Sequence, residues 1–291
     1  MQRHAYLIMA HSNWFILETL LRLIDAPWND IYLHIDRKAL CFDQKLFMSI
    51  CKYSNLYFTK RCNITWGNET QVIAEITLFE MAFHNGPYHY YHFLSGADLP
   101  IKPKEEIYRF FEDKKCNYLH CIDDASPFEW RLEKYYNVFR GLNCSDVLRK
   151  RLNVYSEILQ YKLNTNRLIW LKRHYPIIGK GHNWCDLTHN AVAALIRAKK
   201  HIHKFCRFTL CSDEMYKQII ILNQPSSIVG PLADIDIRLI DWSNGGDHPR
   251  VFTDADFNLL ITAPDYCIFA RKFDEAVDKK IIGHLFCHLS K

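Results

Sequence analysis

Three stretches of this 291-residue chain have the residue types and spacing for chemistry. They are Ser212-Asp213-Glu214, then Trp242-Ser243-Asn244-Gly245-Gly246-Asp247-His248-Pro249-Arg250, then Phe269-Ala270-Arg271-Lys272-Phe273-Asp274. An acidic couplet offers a candidate base, and two cationic clusters follow it. That set suits an enzyme that binds a diphosphate without a metal ion. When an acceptor hydroxyl attacks a sugar nucleotide, the incoming oxygen needs a base and the departing phosphate needs positive charge. The couplet is also a helix-start signature, because acids favour the first turn of a helix. Asp234-Ile235-Asp236 and Asp254-Ala255-Asp256 have the Asp-x-Asp pattern that holds a metal in many nucleotide-sugar transferases. The first leads into a strand and the second reads as a helix cap, so no bound metal is expected.

These residues need a scaffold that sets them around one cleft. Residues 5–10 read as a buried strand ending at His11-Ser12-Asn13. A helix follows, capped by Ser12 or Asn13, with Trp14, Leu17, Leu20, Leu21 and Ile24 on one face. Residues 31–36 are a second strand and 56–58 a third. Strand, helix and strand with short connections make a βαβ unit, and hence a parallel sheet with helices packed on it. Residues 70–84 predict an amphipathic helix, and 88–94 another strand running into Ser95-Gly96-Ala97-Asp98-Leu99-Pro100. Ligands in open α/β sheets sit beyond the carboxyl ends of the strands, so His11, Asp36 and Asp98 are expected to face one crevice. Residues 140–175, rich in Arg, Lys and Leu, read as helix. Without a Pro/Gly linker, a repeat or a low-complexity tract, residues 1–291 are expected to form one domain. Its N-terminal half would be mainly nucleotide-binding, and its C-terminal part would carry the base and the diphosphate-binding residues.

A formal net charge of +5 is mildly basic and suits an anionic ligand or a phospholipid surface. No basic, glycine-rich or RNP-like stretch supports nucleic-acid binding. The eleven cysteines include no C-x-x-C pair for a zinc site. The chain enters a strand almost at once, and no apolar run approaches membrane-spanning length. Reduced thiols and a cytoplasmic location are therefore expected.

Taken together, Ala5-Tyr6-Leu7-Ile8-Met9-Ala10-His11, Ile31-Tyr32-Leu33-His34-Ile35-Asp36, Trp66-Gly67, the segment from Phe93 to Lys102, Gly181-His182-Asn183-Trp184 and the three C-terminal stretches carry a resemblance. In this order and spacing they resemble the core-2/I-branching β-1,6-N-acetylglucosaminyltransferase family, which also contains the peptide O-xylosyltransferases. The resemblance runs through nearly the whole chain. It implies an α/β fold of the GT-A nucleotide-sugar type, with a mixed, mostly parallel central sheet flanked by helices. It also implies an inverting, metal-independent glycosyltransferase that needs no cofactor and moves a sugar from a UDP donor to an acceptor hydroxyl.

Glu214 matches the family's catalytic base, and Arg250 with Lys272 the pair that holds the diphosphate in place of a divalent ion. Arg271 is the second choice for that pair, because neighbours on a strand face opposite ways. Family matching puts Asp36 near the uridine, with His11 and Asp98 shaping the nucleotide side. Arg131 aligns with an acceptor-contacting arginine, and Trp184 is expected to support the cleft wall or stack on a sugar. N-acetylglucosamine is the first expected sugar and xylose the second. The chain resembles short, anchorless bacterial relatives, which implies polysaccharide biosynthesis at the cell surface. A lipid-linked glycan acceptor and peripheral association with the inner membrane face go with that reading. Two rivals stand beside it: a metal-dependent transferase or hydrolase using Asp36 and Asp98, and a non-catalytic carbohydrate-binding protein on the same fold.

Overall fold

The computed structural model describes residues 2–142, 144–246 and 248–290. Asp247, within the second chemical stretch, lies outside the described residues. The first strand, β1 (His4–Ala10), turns Tyr6, Ile8 and Ala10 to one apolar layer and Ala5 and Leu7 to another, all buried. A strand apolar on both faces belongs at the centre of a sheet covered on both sides. Helix α1 (Trp14–Ile24) leads to β2 (Asn29–Ile35) and then β3 (Asn55–Phe58). Helix α2 (Glu69–Asn85) precedes β4 (Tyr90–Ser95). There follow β5 (Asp98–Pro100), β6 (Tyr118–Leu119), α3 (Asp146–Lys162), β7 (Cys185–Thr188) and α4 (His189–Arg197). The C-terminal part adds α5 (Tyr216–Leu222), β8 (Arg238–Ile240), β9 (Phe269–Arg271) and α6 (Lys280–Leu289).

The central sheet has the order β3-β2-β1-β4-β7-β6. Its β1–β2, β1–β4 and β2–β3 pairs are parallel, and β7 runs antiparallel to both β4 and β6. Helices α1 and α6 cover one face, and α2, α4 and α5 the other. The mixed, mostly parallel sheet flanked by helices is therefore present, as a GT-A-type fold requires. A second, three-stranded sheet has the order β5-β9-β8 and sets Asp98 opposite Arg271.

From β1 the chain moves to β2 on one side, while β4 lies on the other. The strand order therefore reverses at β1, and a crevice opens beyond the carboxyl ends of β1 and β4. Gly96 keeps the segment after β4 against β1, since a Cβ there would stand 2.8 Å from the Ala10 Cβ. The start of α1 departs from expectation. Asn13 is in the left-handed region and makes no side-chain cap. Instead Glu275 Oε2 accepts hydrogen bonds from the Phe15 and Ile16 backbone N–H groups at 2.8 and 3.3 Å. A carboxylate at the positive end of the helix dipole serves the same purpose from the far end of the chain.

Candidate active site

A cleft of about 570 Å³ opens at that switch point. Its sheet-side wall is Met9–His11 after β1, Asp36 and Lys38 after β2, and Ser95–Ala97 after β4. Asp213, Glu214 and His182–Trp184 form a second wall, and Trp242, His248, Pro249, Arg271 and Lys272 a third. The sheet thus brings His11, Asp36, Trp184, Glu214 and Lys272 to one cavity. A shallower hollow of about 610 Å³ adjoins it through His11, Ser12 and Asn13. Beyond those shared residues its charged lining is Glu275, already capping α1, and Lys279.

Glu214 closes a 3-10 turn, Ser212–Glu214, which the chain enters through Cys211 at φ +47°. The Gly181 N–H donates to the Glu214 carbonyl at 3.0 Å. A Cβ on Gly181 would fall 1.8 Å from the His120 carbonyl oxygen, so only glycine allows the two segments to run so close. Arg131 Nη1 stands 2.9 Å and Lys180 Nζ 3.3 Å from Glu214 Oε2. Both cations hold the same oxygen. Among the described residues Oε1 takes no hydrogen bond, which leaves it to receive a hydroxyl proton. Arg131, expected on the acceptor, instead braces the carboxylate and is not part of the cleft lining. Lys180 carried no sequence signal for this role.

Asp213, expected to serve a helix start, points inward. Its Oδ2 accepts from Gln71 Nε2 at 3.3 Å, while Oδ1 is buried with no partner among the described residues. Burial, followed by the nearby Glu75 and Glu214 charges, pushes its carboxyl up to about 7. Between the ordinary carboxylate range and that value, the folded chain keeps a proton that the unfolded chain has lost. The contribution of Asp213 to stability should therefore be fully present below the ordinary carboxylate range and fall, by an amount on the order of 4 kcal/mol, as pH rises to about 7. Asp213→Asn removes the titration. Thermal melts across this range should show a flatter pH profile for the variant, and parallel profiles would reject the assignment.

The cationic side departs from expectation at Arg250 and at Arg271. Arg250, expected on the diphosphate, does not line the cleft; its buried neighbour Pro249 does. Its Nε donates to Asp241 at 2.6 Å, and its two terminal nitrogens donate to the Asp256 carboxylate, each at 2.9 Å. Two carboxylates therefore already neutralise it, and Arg250 in turn holds the Asp256 carboxyl below its usual range. Arg271, the second choice, lines the cleft together with Lys272.

Asp98, expected near the nucleotide, is buried beneath the wall. It accepts from the Ser95 N–H at 2.6 Å and from Arg271 Nη1 at 2.6 Å, so it positions Arg271 instead of facing the cavity. Trp184 does line the cleft, but Phe93 stacks on its ring at 5.5 Å and the Arg271 guanidinium covers it at 4.2 Å. The ring is thus packed into the cleft wall. Trp66 and Trp242, both well exposed, line the same cleft. In the sequence, Trp66 stands in the Trp66-Gly67 motif and Trp242 opens the second of the three chemical stretches.

The two Asp-x-Asp patterns are engaged elsewhere. Asp236 bonds His182 Nε2 at 2.6 Å, and Asp256 pairs with Thr253 in a capping box. Among the described residues no three His, Cys, Asp or Glu side chains gather closely enough to hold a metal ion.

Comparison with known proteins identifies a family and several relatives. The family described as core-2/I-branching enzyme matches residues 4–260. Dog xylosyltransferase 2 is 21% identical over 99% of this chain, and human N-acetyllactosaminide β-1,6-N-acetylglucosaminyl-transferase is 21% identical over 93%. The chain spans 34% of the first protein's length and 68% of the second's. Among solved structures, mouse xyloside xylosyltransferase 1 overlaps 93% of this chain and 97% of its own at 8% identity and a TM-score of 0.38. With the family matched across most of its length, the chain belongs to the core-2/I-branching enzyme family of glycosyltransferases.

Proposed function

We propose that this chain is an inverting, metal-independent transferase that moves a sugar from a UDP donor to a hydroxyl of a glycan acceptor, lipid-linked in the simplest setting. The observation that carries the reading is one cleft lined by a carboxylate, Glu214, and by two adjacent cations, Arg271 and Lys272. Glu214 takes the proton of the acceptor hydroxyl as its oxygen forms the new bond to the anomeric carbon. The bond from that carbon to the β-phosphate oxygen breaks on the opposite face. Lys272 and Arg271 meet the charge that develops on the departing UDP, where a water-poor cleft strengthens their effect. Asp36 serves the nucleoside side, and the Trp66 and Trp242 rings offer apolar faces to sugar or base. UDP-N-acetylglucosamine is the first donor to test. Relatives named as xylosyltransferases favour UDP-xylose as the second.

Calorimetry with UDP tests the site, with and without chelator. Lys272→Ala should weaken UDP binding about 10- to 100-fold, the range for losing a charge-assisted hydrogen bond. Arg250→Ala should weaken it far less, because Asp241 and Asp256 already hold that guanidinium. Equal losses in the two variants would return Arg250 to the diphosphate. An undiminished affinity in Lys272→Ala, or binding abolished by chelator, would overturn the reading.

A further inference from the structure

Helix α3 is built inside out. Its polar residues face the body of the protein: Gln160 exchanges hydrogen bonds with the Tyr135 backbone at 2.8 Å each way, and Asn153 accepts from the Phe139 N–H at 3.1 Å. Arg149, on the same side, donates to the Leu142 and Cys144 carbonyls. Gln160 is the only buried residue among its seventeen. Val147, Val154, Tyr155, Ile158, Leu159 and Tyr161 are all exposed on the outer side. Val147, Val154, Ile158 and Tyr161 follow the spacing of one helical face. An apolar face that the fold turns outward is made to meet something.

Charge identifies what it meets. Residues 146–175 hold seven Lys and Arg against two Asp and Glu, a net +5 that equals the formal charge of the whole chain. The remaining residues balance to zero. Lys150, Arg151, Lys162 and Arg173 have no acidic partner among the described residues. A second copy of the chain would set +5 against +5, which disfavours self-association. An apolar stripe edged by unpaired long-chain cations instead suits the interface of an anionic bilayer, where the side-chain stems bury and the charges reach the phosphates.

We infer that α3 lies flat on an anionic phospholipid surface and docks the enzyme there. The docking face is joined to the cleft by short connections. The Arg167 N–H just beyond α3 donates to the Glu133 carbonyl at 2.9 Å, and Arg131, two residues before Glu133, braces Glu214. The inference stands independently of the donor proposed above.

Co-sedimentation of the full chain with vesicles tests it, using phosphatidylcholine alone or mixed with phosphatidylglycerol. The wild type should sediment with the mixed vesicles and hardly with the neutral ones. Neutralising two cations in Arg151→Gln/Lys162→Gln should weaken binding about 30-fold. Val154→Asp/Ile158→Asp should abolish it with an unchanged melting temperature, since both positions are exposed. Equal binding to neutral vesicles, or full binding by the aspartate pair, would overturn the inference. So would lipid-free dimers that the aspartate pair dissolves, which would make a second copy the occupant.

Discussion

Glu214→Gln should slow sugar transfer by about 10²- to 10⁴-fold, the range that a positioned general base contributes. UDP affinity should stay within about twofold, because Arg271 and Lys272, the cations proposed for the diphosphate, stand on another wall. Glutamine keeps the side-chain shape and an oxygen for Arg131 and Lys180, but its amide nitrogen stands in place of the free Oε1 and cannot accept a proton. Transfer rates and UDP calorimetry on the same preparation separate the possibilities. A fall in both quantities would mean that the substitution disturbs the cleft. Turnover within about tenfold of the wild type would leave Glu214 without its role and put the base elsewhere, while a wild type with no turnover at all would favour a carbohydrate-binding protein on this fold.

The strands are the most legible part of the sequence. Residues 5–10 and 31–33 are apolar at successive positions, as suits a sheet covered on both faces, and their strands lie inside it. Because the strand ends define the crevice, the residue order alone places His11 and Asp36 there. It does not place Asp98. That residue follows the same kind of strand, but a three-residue pairing with β9 turns its carboxylate toward Arg271. A strand that short leaves no periodic signal.

Arg250 departs from expectation for a different reason. A cation on phosphate and a cation held by carboxylates look alike until their neighbours are known. Here the neighbours are within sight, since Asp241 and Asp256 are nine and six residues away. An arginine between two nearby acids carries a signal for internal pairing. Helix α3 shows the opposite limit. Its composition marks it as basic and apolar, but periodicity reveals only that a face exists. The hydrogen bonds of Gln160 and Asn153 decide which face the protein keeps.

Beneath the turn that carries Glu214 lies a group that no local pattern announces, and Lys217→Met should expose its importance. Lys217 and Glu75, 142 residues apart in sequence, are both fully buried and meet at 2.8 Å. Tyr216 Oη donates to the same Glu75 oxygen at 2.9 Å, and Asn183 Nδ2 donates to the other at 2.7 Å. Lys217 Nζ also donates to the Asp213 carbonyl at 3.2 Å and thereby ties α5 to the turn that presents Glu214. Methionine fills similar space but leaves the Glu75 charge buried without its counter-ion, which costs about 3–5 kcal/mol. For a chain of this size that is a fall of about 10 °C in melting temperature. Adding Glu75→Gln should restore much of the stability, because the penalty lies in the unpaired charge and not in lost packing. Turnover should stay low in the double variant, since the bond to Asp213 is still missing. A single variant that melts with the wild type would show that the ion pair does not hold this end of the site. A double variant that recovers turnover together with stability would show that the Asp213 carbonyl bond is dispensable for placing Glu214.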